Sequence, residues 1–155
     1  PSNKTTFCPG TLESGGTMRL LVCGNRDWTC VKTIDAWLRL YHAHYRGQVT
    51  LIHGGNGKRG KDGKAYQGAD EIAHDIAVAF GWTIERYPAD WSLGRKAGPI
   101  RNQYAFDHGH PERCLAFGRL TKPDSGADSG TGNMVKICNQ GGIIVTVVPN
   151  HGGLP

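Results

Sequence analysis

At 155 residues, with 38% hydrophobic and 20% charged residues, the chain is sized for one domain with its own core. A net charge of +5 admits an anionic partner without separating a nucleotide from a nucleic acid. No apolar run approaches the roughly 18 residues of a membrane span, and no leader peptide is evident, so no membrane partner is expected.

Pro1 to Thr17 is polar and aperiodic, and reads as a flexible tail with Phe7 and Cys8 as candidate anchors. Met18 to Cys23 is a short apolar run stopped by Gly24-Asn25-Arg26-Asp27-Trp28, the pattern of a strand buried on both faces. Val31 to Arg46 carries Ile34, Trp37, Leu38, Tyr41 and Tyr45 at helical spacing. A second strand, Val49 to Ile52, closes at His53-Gly54-Gly55. A Gly/Lys-rich insertion, residues 56–67, follows it and reads as a flexible basic flap bearing Lys58, Arg59, Lys61 and Lys64. Ala69 to Phe80 is again helical and ends at Gly81, a natural C′ residue.

The third strand, Thr83 to Tyr87, runs into Pro88-Ala89-Asp90-Trp91. Pro99 suits the first turn of a helix lasting to about Asp107. Arg113 to Phe117 is the fourth strand, Thr121 to Ser129 a loop, and Gly130-Thr131-Gly132 opens the last helix, which runs to about Asn139. Ile143 to Val148 is the fifth strand. Strict β-α alternation with near-continuous apolar strands predicts an α/β fold: a Rossmann-like three-layer sandwich around a mainly parallel sheet of about five strands, spanning residues 18–150.

The five cysteines lack CxxC spacing, and Cys23, Cys114 and Cys138 fall inside predicted elements, where thiols serve as small apolar groups. A reduced, cytoplasmic compartment is the expectation. Gly55 to Asp62 approaches the string GxxxxGK[ST], but Asp62 replaces the metal-binding hydroxyl and no helix follows directly, so a P-loop is rejected. The pairs His42/His44 and His108/His110 lack partners at zinc spacing; neither a metal nor another cofactor is expected.

In open α/β sheets ligands sit beyond the carboxyl ends of the strands, where helix N-termini offer free N–H groups. That places Gly24, Asn25, Arg26, Asp27, His53, Gly54, Gly55, Asp70, Asp90, Ser129, Gly130 and Thr131 along one rim. A phosphate-bearing small molecule is the natural occupant. Each polar candidate also has a purely structural reading. Asp27 caps the following helix or meets the ligand, and Asp70 is an ordinary first-turn acid or a ligand contact. Arg26 and Arg101 hold a phosphate or an ion pair. Asn102 is a ligand contact or a solvated helix residue. Trp28 and Trp91 stack on a base or pack at the rim, and His53 is catalytic or simply hydrogen-bonded.

GNRDW, HGG with GAD, PADW, GPIRNQ and SGTGNM, in that order, resemble the YspA/YpsA-related branch of the SLOG superfamily over Met18 to about Val148. The superfamily includes the Lonely Guy phosphoribohydrolases, the DprA recombination mediators and nucleotide-sensing domains. The resemblance implies a Rossmann-like fold, a nucleotide or nucleotide-derived ligand, and self-association through helices into a homo-oligomer. It sets Gly130-Thr131 on the glycine-threonine of the Lonely Guy motif PGGxGTxxE, a phosphate cradle, and Arg101 on an arginine facing the ligand. The catalytic Glu of that motif falls at Met134, which is neither acid nor base.

Three functions follow in order. The first is binding of a nucleoside monophosphate or ADP-ribose-like ligand, as a sensor or sequestering protein. The second is hydrolysis or transfer at the N-glycosidic or phosphate linkage, with Asp27 and Asp90 as the relocated carboxylates. The third is nucleic-acid binding through the basic flap.

Overall fold

A computed structural model describes residues 16–155; the expected tail, with Phe7 and Cys8, falls outside the described residues up to residue 15. In chain order the elements are β1 (Met18–Gly24), α1 (Val31–His44), β2 (Val49–His53), β3 (Lys58–Arg59), β4 (Ala65–Gln67), α2 (Ala69–Phe80), β5 (Thr83–Arg86), a 3-10 segment (Trp91–Lys96), α3 (Ala97–Gly109), β6 (Arg113–Phe117), α4 (Gly130–Gln140) and β7 (Ile144–Val148). Five strands pair in the order β5-β2-β1-β6-β7, every pair parallel.

Successive side chains of a strand point to opposite faces, and β1 shows how both faces become core. Leu20 and Val22 pack with Ile34, Leu38, Ile72 and Ala73 of α1 and α2. Leu21 and Cys23 pack with Ala105, Met134, Val135 and Cys138 of α3 and α4. Helices therefore cover both sheet faces, the three-layer Rossmann-like arrangement that the continuous apolar strands predicted. The thiols behave as apolar filler: Cys23 Sγ lies 3.8 Å from Cys114 Sγ, and hydrogen bonding with Cys138 and Cys23, then burial, pushes the Cys114 thiol up.

The chain runs outward from β1 to β2 and β5, then returns across the sheet to β6 and β7. Strand order thus reverses between β1 and β6, and the crevice beyond their carboxyl ends is the topological switch point where ligands bind in such sheets. Glycine is required at that edge. A Cβ on Gly24 would stand 2.6 Å from the Phe117 carbonyl oxygen and closer still to the Ala69 methyl, and main chain cannot move aside.

The insertion expected as a flexible flap is instead a short antiparallel hairpin, β3 with β4. Three ties dock it on α2. The Ala65 amide donates to Asp75 Oδ2 at 2.8 Å, and the Arg59 guanidinium bridges the buried Glu71 at 2.5 Å and Asp75 at 2.8 Å. Arg86 meets the same Glu71 carboxylate at 2.7 Å from β5. Glu71 thus sits between two guanidiniums, the pairing a buried carboxylate needs. One of the four flap cations is spent on the fold; Lys58, Lys61 and Lys64 stay exposed.

Candidate functional site

Three segments build the site floor. Asn25 follows β1 and its side chain stitches the edge together: Nδ2 donates to the Arg119 carbonyl and to Thr131 Oγ1, while Oδ1 accepts from the Arg119 amide. Its carbonyl accepts from the Ala69 amide at 3.3 Å, which seats the first turn of α2 under the β1 corner. Ser129 caps α4, accepting from the Gly132 amide at 3.0 Å and donating its hydroxyl to the Arg119 carbonyl at 2.9 Å. With Gly132 satisfied by the cap, the amides of Gly130 and Thr131 have no acceptor among the described residues.

Those two amides border a cavity of about 230 Å³ lined by Gly24, Asn25, Arg26, Asp27, Asn56, Arg119, Ser129, Gly130 and Thr131. Behind it lies a cavity of about 20 Å³ that shares Gly24, Asn56, Gly130 and Thr131 and adds His53, Gly54, Asp70, Arg101, Asn102 and Met134. The structure therefore brings Arg26, Arg101 and Thr131 to one rim. The inner wall is a closely bonded frame. Arg101, buried on α3, donates through Nη1 to the carbonyls of Gly54 (2.6 Å) and Tyr87 (3.3 Å), and through Nε to Asn102 Oδ1 (2.9 Å). Gly54 has to be glycine here, because a Cβ would collide with the Arg101 guanidinium. Asn102 passes the frame on to α4 through the Gly130 carbonyl and Asn133.

Asp70 is the buried carboxylate of the site. Its Oδ2 accepts from the amides of Gly54 (3.1 Å) and Asn56 (3.2 Å). Burial pushes its carboxyl up to about 6, against the pull of those two amides and of the Arg101 charge. It is a site wall rather than an ordinary first-turn acid. His53 sits beside it with both nitrogens engaged: Nδ1 accepts from the Gly55 amide at 3.0 Å, so Nε2 carries the proton and faces His74 Nδ1 at 2.9 Å. Burial first, then the positive field of His74, Arg86, Arg101 and Arg59, lowers its pKa to about 3. A neutral imidazole with both nitrogens engaged fits the hydrogen-bonded reading of His53. Gly55, in the left-handed region at φ 81°, turns the chain there.

Other candidates part company. Trp28 is buried, donates its indole N–H to the Cys30 carbonyl and packs edge-on to Phe117, an arrangement that fits its packing role. Trp91 is exposed, with the Arg26 guanidinium 5.7 Å above its ring. Asp27 and Asp90 do not form a pair. Asp27, exposed, bridges Arg119 at 3.2 Å in the outer cavity. Asp90 caps the 3-10 segment through Ser92 and lines a separate hollow with Tyr87, Leu93 and Tyr104. Sequence reading missed Asn56 and Arg119. Arg119 had a signal, since Phe117-Gly118-Arg119 is one more strand-end glycine corner; Asn56 had none, being placed by the hairpin that follows it.

The family described as YAcAr, the YspA, cpYpsA-related SLOG family, matches residues 18–94, from β1 into the 3-10 segment. Through that stretch the chain is similar to this family. Arg101 and the α4 cradle lie beyond the matched residues. No curated protein matches the chain.

Proposed function

We propose, from the match to this SLOG family over residues 18–94 and the geometry of the β1/β6 edge, that the chain binds a nucleotide or nucleotide-derived ligand as a sensor or sequestering protein. A nucleoside monophosphate or an ADP-ribose-like molecule is the ligand class. The observation that carries the reading is the pair of unpaired amides, Gly130 and Thr131, at the start of an 11-residue helix facing a cavity flanked by Arg26 and Arg119. An anion at a helix N-terminus gains about 0.3–2 kcal/mol, and each charge-assisted hydrogen bond about 1.5–3 kcal/mol. The 230 Å³ available is smaller than the roughly 300–1,000 Å³ of a pocket enclosing a whole drug-sized ligand. Phosphate and sugar fit inside; the base lies outward, toward Trp91. Asp27 and Asp90 line different cavities and each already has a partner, which favours binding over hydrolysis with that pair.

Titration calorimetry with AMP, ADP-ribose and inorganic phosphate tests the reading. A ligand at 100 times its dissociation constant adds about 2.7 kcal/mol of apparent stability, and absence of heat with all three removes the proposal. Two alanine substitutions separate site from scaffold. Nothing stands within 4 Å of a Cβ on Gly130, so Gly130→Ala is expected to unfold at the parental temperature or above while losing affinity. Gly24→Ala, forced against main chain, is expected to lose about 2 kcal/mol in urea unfolding.

A further inference from the structure

Two charged side chains at the inner cavity each leave one polar atom without a partner among the described residues. Asp70 Oδ1 is buried and has no hydrogen-bond partner, although Oδ2 of the same carboxylate accepts two amides. Arg101 Nη2 makes no hydrogen bond among the described residues, although Nε and Nη1 make three. Both residues line the 20 Å³ space, which exceeds the roughly 10–15 Å³ that one water-sized group occupies. One vacancy calls for a donor and the other for an acceptor. A hydroxyl supplies both at once; a phosphate oxygen, acceptor only, would face the Asp70 carboxylate, and a methylene would leave both protein groups unpaired.

We propose that the inner cavity is a sugar-hydroxyl subsite, in which a hydroxyl of the phosphorylated ligand donates to Asp70 Oδ1 and accepts from the Arg101 guanidinium. This rests on the phosphate cradle proposed above and deepens it: the ligand class becomes ribosyl phosphates rather than their deoxy counterparts. Gly130 and Thr131 border both cavities, so one small molecule reaches from the α4 amides to Asp70 without leaving the crevice.

Probes without a base test the subsite: ribose 5-phosphate, its 2-deoxy and 3-deoxy forms, and inorganic phosphate, each titrated into parent and Asp70→Asn. The parent is expected to bind ribose 5-phosphate roughly 10- to 100-fold tighter than at least one deoxy form, the range that one unpaired buried group gives. In Asp70→Asn the amide oxygen keeps the Gly54 and Asn56 contacts while Nδ2 replaces the vacant acceptor, so the preference is expected to fall within about twofold. Inorganic phosphate, titrated into both proteins, reads the cradle separately from the sugar preference. Equal binding of all three sugar phosphates by the parent overturns the subsite and leaves the cradle standing, as does an Asp70→Asn preference equal to the parent's. Failure of every probe together with AMP and ADP-ribose overturns both.

Discussion

Between pH 7 and pH 4, His53→Asn is expected to lose about 3 kcal/mol less unfolding free energy than the parent, and Asp70→Asn about 2 kcal/mol more. The two neighbours titrate against each other. His53 has a folded pKa of about 3 against 6.5 for the unattached group. The unfolded chain therefore takes up a proton that the folded one refuses, and the stability His53 contributes is full above pH 6.5 and lost as pH falls toward 3. Asp70 has a folded pKa of about 6 against 3.8. The folded chain keeps its proton longer, so this contribution is full below pH 3.8 and lost as pH rises through 6.

Between pH 6 and 4 the terms oppose, and the parent shows only their difference, about 1 kcal/mol. Each substitution unmasks the other limb. Asp75 and Glu85, whose carboxyls are held low by hydrogen bonds and Arg neighbours against the desolvation that opposes them, add acid sensitivity equally to all three proteins and cancel in the comparison. Asn at position 53 can still accept from the Gly55 amide, which limits the loss at neutral pH. Urea unfolding of the three proteins at pH 7 and pH 4 decides the matter. Parallel lines would show that neither group is buried in the state assigned to it.

How far the sequence alone reaches can be seen by comparing Gly24 with Asp70. Apolar runs that end in glycine mark strands buried on both faces, because burial of alternate side chains and tight corners are both local properties of the chain. Sheet membership, the helices and the rim of glycine corners were legible for that reason, as were Ser129, Gly130 and Thr131. Whether a carboxylate is buried is not local. Asp70 looks like any first-turn acid until the Asn25 carbonyl takes the Ala69 amide and draws α2 beneath β1. Asp27 and Asp90, by contrast, stand at turns where sequence makes them conspicuous, yet each is exposed and bonded elsewhere.

The hairpin in residues 58–67 escaped for a related reason. Its glycines and lysines carry no strand pattern, and what holds it is Arg59 reaching Glu71 and Asp75 on a helix that comes later in the chain. Trp28 sits in a polar corner whose composition promises exposure; it is buried because the chain after β7 returns and lays His151 against its ring.

Arg101→Met is expected to cost about 3–5 kcal/mol, and Asp70→Asn in the same chain to recover part of the loss. Truncating the guanidinium strips donors from the carbonyls of Gly54 and Tyr87 and from Asn102 Oδ1. It also leaves the Asp70 carboxylate without the cation that counters its burial. Removing one partner of a buried charge arrangement costs about 3–5 kcal/mol, more than the arrangement itself contributes, because the remaining charge stays out of water. The two groups are not in direct contact; the Asp70 carboxylate is held by main-chain amides and Arg101 acts on it as a nearby charge. Their coupling therefore belongs to the electrostatic part of the loss, and neutralising Asp70 relieves that part alone. A double-mutant cycle in urea is expected to give a coupling of about 1–2 kcal/mol, within the range for residues sharing a network. Additivity within about 0.3–0.5 kcal/mol would mean that Arg101 serves only the two carbonyls and Asn102. In that case Asp70 would owe its ionisation to the two amides and to whatever occupies the inner cavity.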